Sequence, residues 1–108
     1  MTFPYSGATT GRIVLNAAGT GEIVAAVAGK RIHVLGGILG GSANQILTFR
    51  TDDGSGTVIG RVRVGTGSES LPFPPSLPAS YMATDEGESL HLTVSTGTTD
   101  GILVYALV

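Results

Sequence analysis

Residues 21–41 read GEIVAAVAGKRIHVLGGILGG, and this stretch decides the fold class. A transmembrane helix needs about 20 consecutive apolar residues, but a Lys-Arg pair interrupts this stretch after the six apolar residues Ile23–Ala28. A phosphate-binding loop needs the pattern GxxxxGK followed by Ser or Thr, but Arg31 follows the Gly-Lys pair and Val24 stands where the first glycine belongs. The remaining interpretation is a strand, a turn at residues 28–30 and a second strand, with the basic pair at an exposed tip.

The rest of the chain repeats the period-2 pattern of half-buried strands between turns rich in Gly, Ser and Asp. No window keeps apolar residues at helical spacing for three turns without meeting a glycine or a β-branched run, so we expect helices to be short or absent. The alternation in Leu90–Ser95 predicts that Leu90, Leu92 and Val94 face the core. The predicted strands are Arg12–Asn16, Glu22–Ala28, Arg31–Leu39, Gln45–Thr51, Thr57–Val64, Ser68–Pro72, Tyr81–Ala83, Leu90–Ser95 and Ile102–Leu107. This pattern favours an all-β sandwich or barrel of about eight antiparallel strands.

The length of 108 residues fits one domain. The first eleven residues carry Phe3 and Tyr5 without strand periodicity, which predicts an N-terminal arm at 1–11 before a single domain at 12–108. Only 13% of the residues are charged, about half the usual share of ~25%. Such a surface favours oligomerisation or docking on a larger body. A monomer covered by Ser, Thr and Gly is the alternative.

Composition excludes several classes of function. The net charge of −2 gives no basic surface for nucleic acid or for an anionic membrane, so we expect neither as a partner. The chain has no cysteine, and therefore no disulfide framework and no thiolate metal site. The first residues contain no basic region followed by an apolar run, so no secretory signal is expected.

The chemistry-bearing residues form no recognisable catalytic or metal pattern. His33 and His91 each lie between apolar neighbours on a predicted strand, so we expect both to face away from the core, at the surface or in an interface. The acidic turns at 52–53 and 85–88 lack the spacing of a calcium-binding EF-hand loop. We therefore predict no catalytic residue, no metal ligand and no cofactor.

Three segments together resemble a known family. The strand pair Ile23–Leu35 is followed by a turn-rich middle, then by Leu71-Pro72-Phe73-x-Pro75, and then by Gly87-Glu88-Ser89-Leu90-His91-Leu92. This order resembles the small jelly-roll structural proteins of tailed bacteriophages, in particular the capsid decoration (cement) proteins. The resemblance covers residues 21–108 and consists of apolar positions and turns.

The resemblance implies an eight-stranded jelly-roll β-sandwich that forms a homotrimer on the outer capsid surface of a virion. It implies the major capsid protein as the partner and a structural role without enzymatic activity. Exposed aromatic residues on an arm suit such a contact, so the candidates for contact with the capsid are Phe3, Pro4 and Tyr5. The candidates for the subunit interface are Arg31, His33, Leu35 and His91.

Two other functions remain open. The first is a receptor-binding or carbohydrate-binding tip domain of a phage tail fibre, since jelly rolls also serve as lectins. The absence of Trp and a total of six aromatic residues speak against sugar stacking. The second is an accessory module of an enzyme, which would require a pocket that joins His33 or His91 to acidic groups.

Overall fold

A computed structural model describes residues 9–52, 56–71 and 80–108, including the side chains of all but 68–71. The described residues contain no helix and form seven strands. The strands are β1 (Thr9–Val24), β2 (Ile32–Gly41), β3 (Gln45–Thr51), β4 (Val58–Val64), β5 (Ser68–Leu71), β6 (Met82–Ala83) and β7 (Leu90–Leu107). The expectation of an all-β antiparallel fold is confirmed.

Two of the strands are longer than the sequence pattern predicts. β1 joins the predicted strand at 12–16 to the beginning of the one at 22–28, and it starts at Thr9, inside the segment predicted as the arm. β7 joins the predicted strands at 90–95 and 102–107. Of the intervening residues, Thr99–Gly101 stay in the sheet because they have strand partners on both edges of β7. The bounds of β3, β4, β5 and β6 match the prediction to within one residue.

The turn predicted at 28–30 is confirmed. Gly29 has a φ of 74°, and the N–H of Lys30 donates to the carbonyl oxygen of Val27 at 3.1 Å. The strand before this turn ends at Val24, so the described connection to β2 is longer than the sequence indicated.

β7 organises the sheet. Along one edge it pairs with β1 from Thr9↔Leu107 to Val24↔Leu90. Along the other edge it pairs first with β3 and then with β2. β1, β7 and the β2–β3 segment are therefore three long neighbouring tracks, with β7 in the middle and antiparallel to the other two.

All three tracks bend at the same level, which we call the corner. β1 has Gly19 there with a φ of 64°, β7 has Gly97 with a φ of 65°, and residues 42–44 connect β2 to β3. Positive φ costs glycine little, so glycine suits a sharp bend in a strand. Strands that bend together in this way fold one sheet onto itself.

Gln45 stabilises the corner. Its side chain is buried, and its Nε2 donates to the carbonyl oxygens of Thr96 and Thr98 at 2.7 and 2.6 Å. Ser42 adds a reciprocal pair with Thr98, in which each backbone N–H donates to an oxygen of the other residue at 3.0 Å. These bonds satisfy backbone groups that the bend removes from the regular strand ladder.

The folded sheet is nearly closed. β4 pairs with β3, and β5 and β6 pair with β2. The two ends of the sheet come close to each other at Gly60 in β4 and Met82 in β6. A Cβ added at Gly60 would lie 2.8 Å from Cε of Met82. All seven strands thus belong to one sheet, curled into a barrel-like shape.

The core lies inside this curl. Leu90, Leu92 and Val94 point into it, as predicted. Each large apolar side chain buried there contributes about 1.5–3 kcal/mol relative to an exposed one. The members of the core cluster are Leu15, Val24, Ile32, Val34, Leu39, Leu47, Phe49, Val64, Met82, Leu90, Leu92, Val94 and Leu103.

Candidate functional site

The residues predicted to contact the capsid, Phe3, Pro4 and Tyr5, lie outside the described residues, and their role stays a prediction. Of the four predicted interface residues, Arg31 is exposed at the tip before β2. Its Nη1 lies 4.0 Å from Oδ1 of Asp85, and both side chains are more than half exposed. An ion pair of this kind contributes little stability, so Arg31 is available for other contacts.

His33 is not on the surface, contrary to our expectation. It is only 9% exposed, and its strand partners on either side are Ala83 of β6 and Ala106 of β7. Nδ1 of His33 lies within hydrogen-bond distance of Oγ of Ser80, at 3.2 Å. Burial lowers the pKa of His33 below its usual value, and the positive charge of Arg31 lowers it further.

Leu35 is likewise buried inside the chain, at 1% exposure. It is the extra residue of a bulge in β2, where the register with β7 shifts between Val34 and Gly36. The regular alternation of inward-facing and outward-facing residues therefore does not hold at Leu35. The contribution of His33 and Leu35 to a subunit interface stays a prediction.

His91 is half-buried near the start of β7, at the opposite end from the part of β7 that pairs with His33. Its Nε2 lies 2.9 Å from Oγ of Ser89, and that hydroxyl donates to the carbonyl oxygen of Asp52 at 2.6 Å. Since a hydroxyl has one proton to donate, His91 Nε2 must be the protonated nitrogen. The two histidines do not form a site together, and the described residues contain no group of three or more metal-ligating side chains.

An exposed row of apolar side chains crosses the outer face of the sheet, which we call the apolar stripe. Val14 in β1, Ile102 in β7 and Ile38 in β2 are cross-strand partners, with exposures of 73%, 39% and 52%. This stripe was not expected, although the sequence carries a signal for it. Each of the three residues has an apolar neighbour that is buried, and consecutive residues of a strand point to opposite faces.

The apolar stripe ends at a free edge. Among the described residues, β1 pairs only with β7, so the outer edge of its 16 residues has no strand partner. Long exposed strand edges readily accept another chain. The stripe and this edge together form a surface suited to a protein partner.

A second surface lies beyond the corner, on the outer face of β3 and β4. Arg61 and Arg63 are exposed there, two residues apart on β4 and therefore on the same face, and they pair across the sheet with Thr48 and Ile46. They line two adjoining clefts of about 520 and 630 Å³. We call these the arginine cleft, with the lining residues Asn44, Gln45, Ile46, Thr48, Arg61, Arg63, Val64, Gly65 and Ser95.

The described residues include no helix of the length and hydropathy that crossing a membrane requires. Searches of protein-family models, curated proteins and solved structures found no match to this chain.

Proposed function

We propose that this chain is a capsid decoration protein, a non-enzymatic structural protein that binds the outer capsid surface of a phage shell as a homotrimer. The proposal joins the family resemblance of residues 21–108 to one observation, the apolar stripe. A stripe of three large apolar side chains at 39–73% exposure is costly to leave in water and gains free energy when a partner covers it.

The proposed mechanism is mechanical. Each subunit would cover its apolar stripe against the major capsid protein, and three subunits held together would bind at several points at once. Linked binding sites raise the overall affinity by orders of magnitude over a single site. Opening of the shell would then require all of these contacts to break together.

The finer fold assignment belongs to the same proposal. In a jelly roll, strands wrap around a core in two facing layers. Here the corner folds one sheet, and the core cluster joins side chains of β3 and β4 to side chains of β2 and β6. The long bent tracks of β1 and β7 support a jelly roll in which the two layers remain joined.

The tail-fibre alternative has less support from the structure. Carbohydrate sites commonly stack the sugar on an aromatic ring, and no aromatic side chain is among the described residues that line the arginine cleft. Binding to a glycan array without affinity for capsids would favour this alternative.

The test mixes the purified protein with undecorated, expanded shells of tailed phages and measures co-sedimentation and the temperature of shell disruption. We expect the protein to sediment with the shells and to raise the disruption temperature. Absence of both effects would reject the decoration function.

Two variants test whether the apolar stripe is the surface that binds the shell. Val14→Ser removes the most exposed stripe residue and should weaken binding to the shell about tenfold or more, because a covered apolar side chain contributes about 1.5–3 kcal/mol. Val27→Ser is the matched control, since Val27 is exposed on the connection before β2 and outside the stripe. Equal binding by the two variants would exclude the stripe as the contact surface.

A further inference from the structure

The arginine cleft contains two cations without an acidic partner in the described part of the chain. Arg61 and Arg63 project from neighbouring outward positions of β4, and the described ion pair of this chain involves Arg31. The chain as a whole has a net charge of −2, so two adjacent unpaired cations are a local exception. The polar residues Ser95, Thr48 and Asn44 line the same cleft, and a volume of this size accommodates a few side chains.

The same chain carries a group of complementary charge on a largely exposed turn, residues 85–88, which we call the acidic turn. The N–H of Glu88 donates to the carbonyl oxygen of Asp85 at 3.1 Å, and that of Gly87 donates to the carbonyl oxygen of Lys30 at 2.8 Å. These bonds hold the turn in place and leave Asp85 and Glu86 exposed, and Asp85 also takes part in the exposed 4.0 Å ion pair with Arg31. Glu88 is engaged within the chain, because its Oε2 accepts a 2.8 Å hydrogen bond from Thr51.

The cleft and the acidic turn of one copy are not placed to meet. The turn is attached at Thr51, the last residue of β3, on the core side of the sheet. Arg63 lies opposite Ile46, near the other end of β3 and on the outer face. Ile46 lies five positions before Thr51, about 17 Å along the strand. Thr48, the partner of Arg61, lies three positions before Thr51, about 10 Å along the strand and also on the outer face.

We propose that the acidic turn of one copy docks in the arginine cleft of the next copy. The contact joins two different surfaces of the same chain, so it is a head-to-tail contact, and such contacts form a ring when the rotation from one copy to the next closes. A ring of three would be the homotrimer of the proposed function, on which this inference rests. The carboxylates of Asp85 and Glu86 would receive hydrogen bonds from the two guanidinium groups, and the contact would weaken as salt is added.

Charge reversal tests this contact in the full chain, with sedimentation velocity and native mass as the readouts. The cleft variant is Arg61→Glu with Arg63→Glu, and the turn variant is Asp85→Arg with Glu86→Arg. A third variant combines all four changes. The control is Arg12→Glu, an exposed arginine of β1 outside the cleft. Circular dichroism verifies that each variant is folded, as expected for substitutions at exposed positions.

We expect the unmodified chain to be a trimer at low salt and to dissociate at high salt. The cleft variant and the turn variant should each weaken association at least tenfold, the combined variant should recover most of it, and the control should associate normally. Recovery in the combined variant distinguishes a direct contact from general loss of charge.

Two results would overturn the inference. A chain that is monomeric at about 100 μM and low salt has no such contact, even if it binds an acidic peptide. A trimer that survives both reversals at unchanged affinity is held by another surface. The second result leaves the decoration function intact, because binding to shells is measured separately through the Val14 and Val27 variants.

Discussion

Two hydrogen bonds join Ile32 to Thr84, one through the N–H of Ile32 and one through its carbonyl oxygen. The N–H of Ile32 donates to Oγ1 of Thr84 at 2.9 Å, and the N–H of Thr84 donates to the carbonyl oxygen of Ile32 at 3.0 Å. Both residues are completely buried. The chain that follows β6 is therefore fixed to the start of β2, next to the acidic turn.

Thr84→Val should destabilise the protein by about 1–3 kcal/mol, because valine has the same shape and leaves the buried N–H of Ile32 without an acceptor. Urea unfolding followed by circular dichroism measures the change. Thr93→Val is the control, since its hydroxyl bonds to Thr20 Oγ1 at an exposed site and should cost much less. Equal losses for the two variants would contradict this role of the Thr84 hydroxyl.

Gly37 and Gly101 allow β2 and β7 to approach each other closely. Both have positive φ, 152° and 135°. A Cβ at Gly37 would lie 3.1 Å from Cα of Leu103, and one at Gly101 would lie 3.1 Å from Cα of Leu39, with a backbone carbonyl oxygen closer still in each case. Both sites therefore exclude a side chain.

Gly37→Ala and Gly101→Ala should each cost about 3 kcal/mol or more, from backbone strain and overpacking together. Gly21→Ala in β1 provides the comparison, because Gly21 lacks positive φ and has open space where a Cβ would lie. Thermal unfolding should place the Gly21 variant close to the unmodified chain and the other two well below it. A mild effect at Gly101 would mean that the two strands can separate without loss.

Gln45→Glu should destabilise the corner by about 2 kcal/mol or more. An ionised carboxylate has no proton to donate to the carbonyl oxygens of Thr96 and Thr98. Its negative oxygen would instead lie buried against these two partially negative oxygens, which is unfavourable. Asn44→Asp introduces the same charge one residue earlier, at an exposed position in the arginine cleft, and should not destabilise the chain. Chemical unfolding at neutral pH compares the two, and equal stability would exclude a structural role for the amide of Gln45.

His33 should make stability depend on pH. Its pKa is lowered in the folded state by burial and by Arg31, so below the usual value of 6.5 the unfolded chain binds the proton more readily than the folded one. The free energy of unfolding should therefore fall as the pH drops through 6.5 toward the lowered pKa. The measurement is unfolding between about pH 8 and pH 5.5, in which His33→Gln should give a flatter profile. Identical slopes would show that His33 is not the group responsible.

The local pattern was sufficient for most strands and for the turn at Gly29. It failed where tertiary pairing overrides local signals. Thr96–Gly101 has the composition of a turn, but only Gly97 bends, because Thr99–Gly101 pair with β1 on one side and with β2 on the other. The bulge at Leu35 inverts the expected alternation.

The surfaces were less predictable than the strands. The period of 2 in a strand is enough to place Arg61 and Arg63 on one face of β4. The apolar stripe and the distance between the cleft and the acidic turn depend on which strands become neighbours. A single sequence does not show which strands pair with each other.

The central position of β7 has a consequence for how the chain folds. β7 comes after all the other described strands, yet β1, β2 and β3 all bond to it. Thr9 must find Leu107 across almost the whole sequence, and pairings between such distant residues form slowly. Until residues 90–107 join the sheet, β1 has no strand partner among the described strands, and the corner lacks its central strand. We therefore expect the sheet to assemble late and cooperatively, with β1 exposed to other chains in the interval.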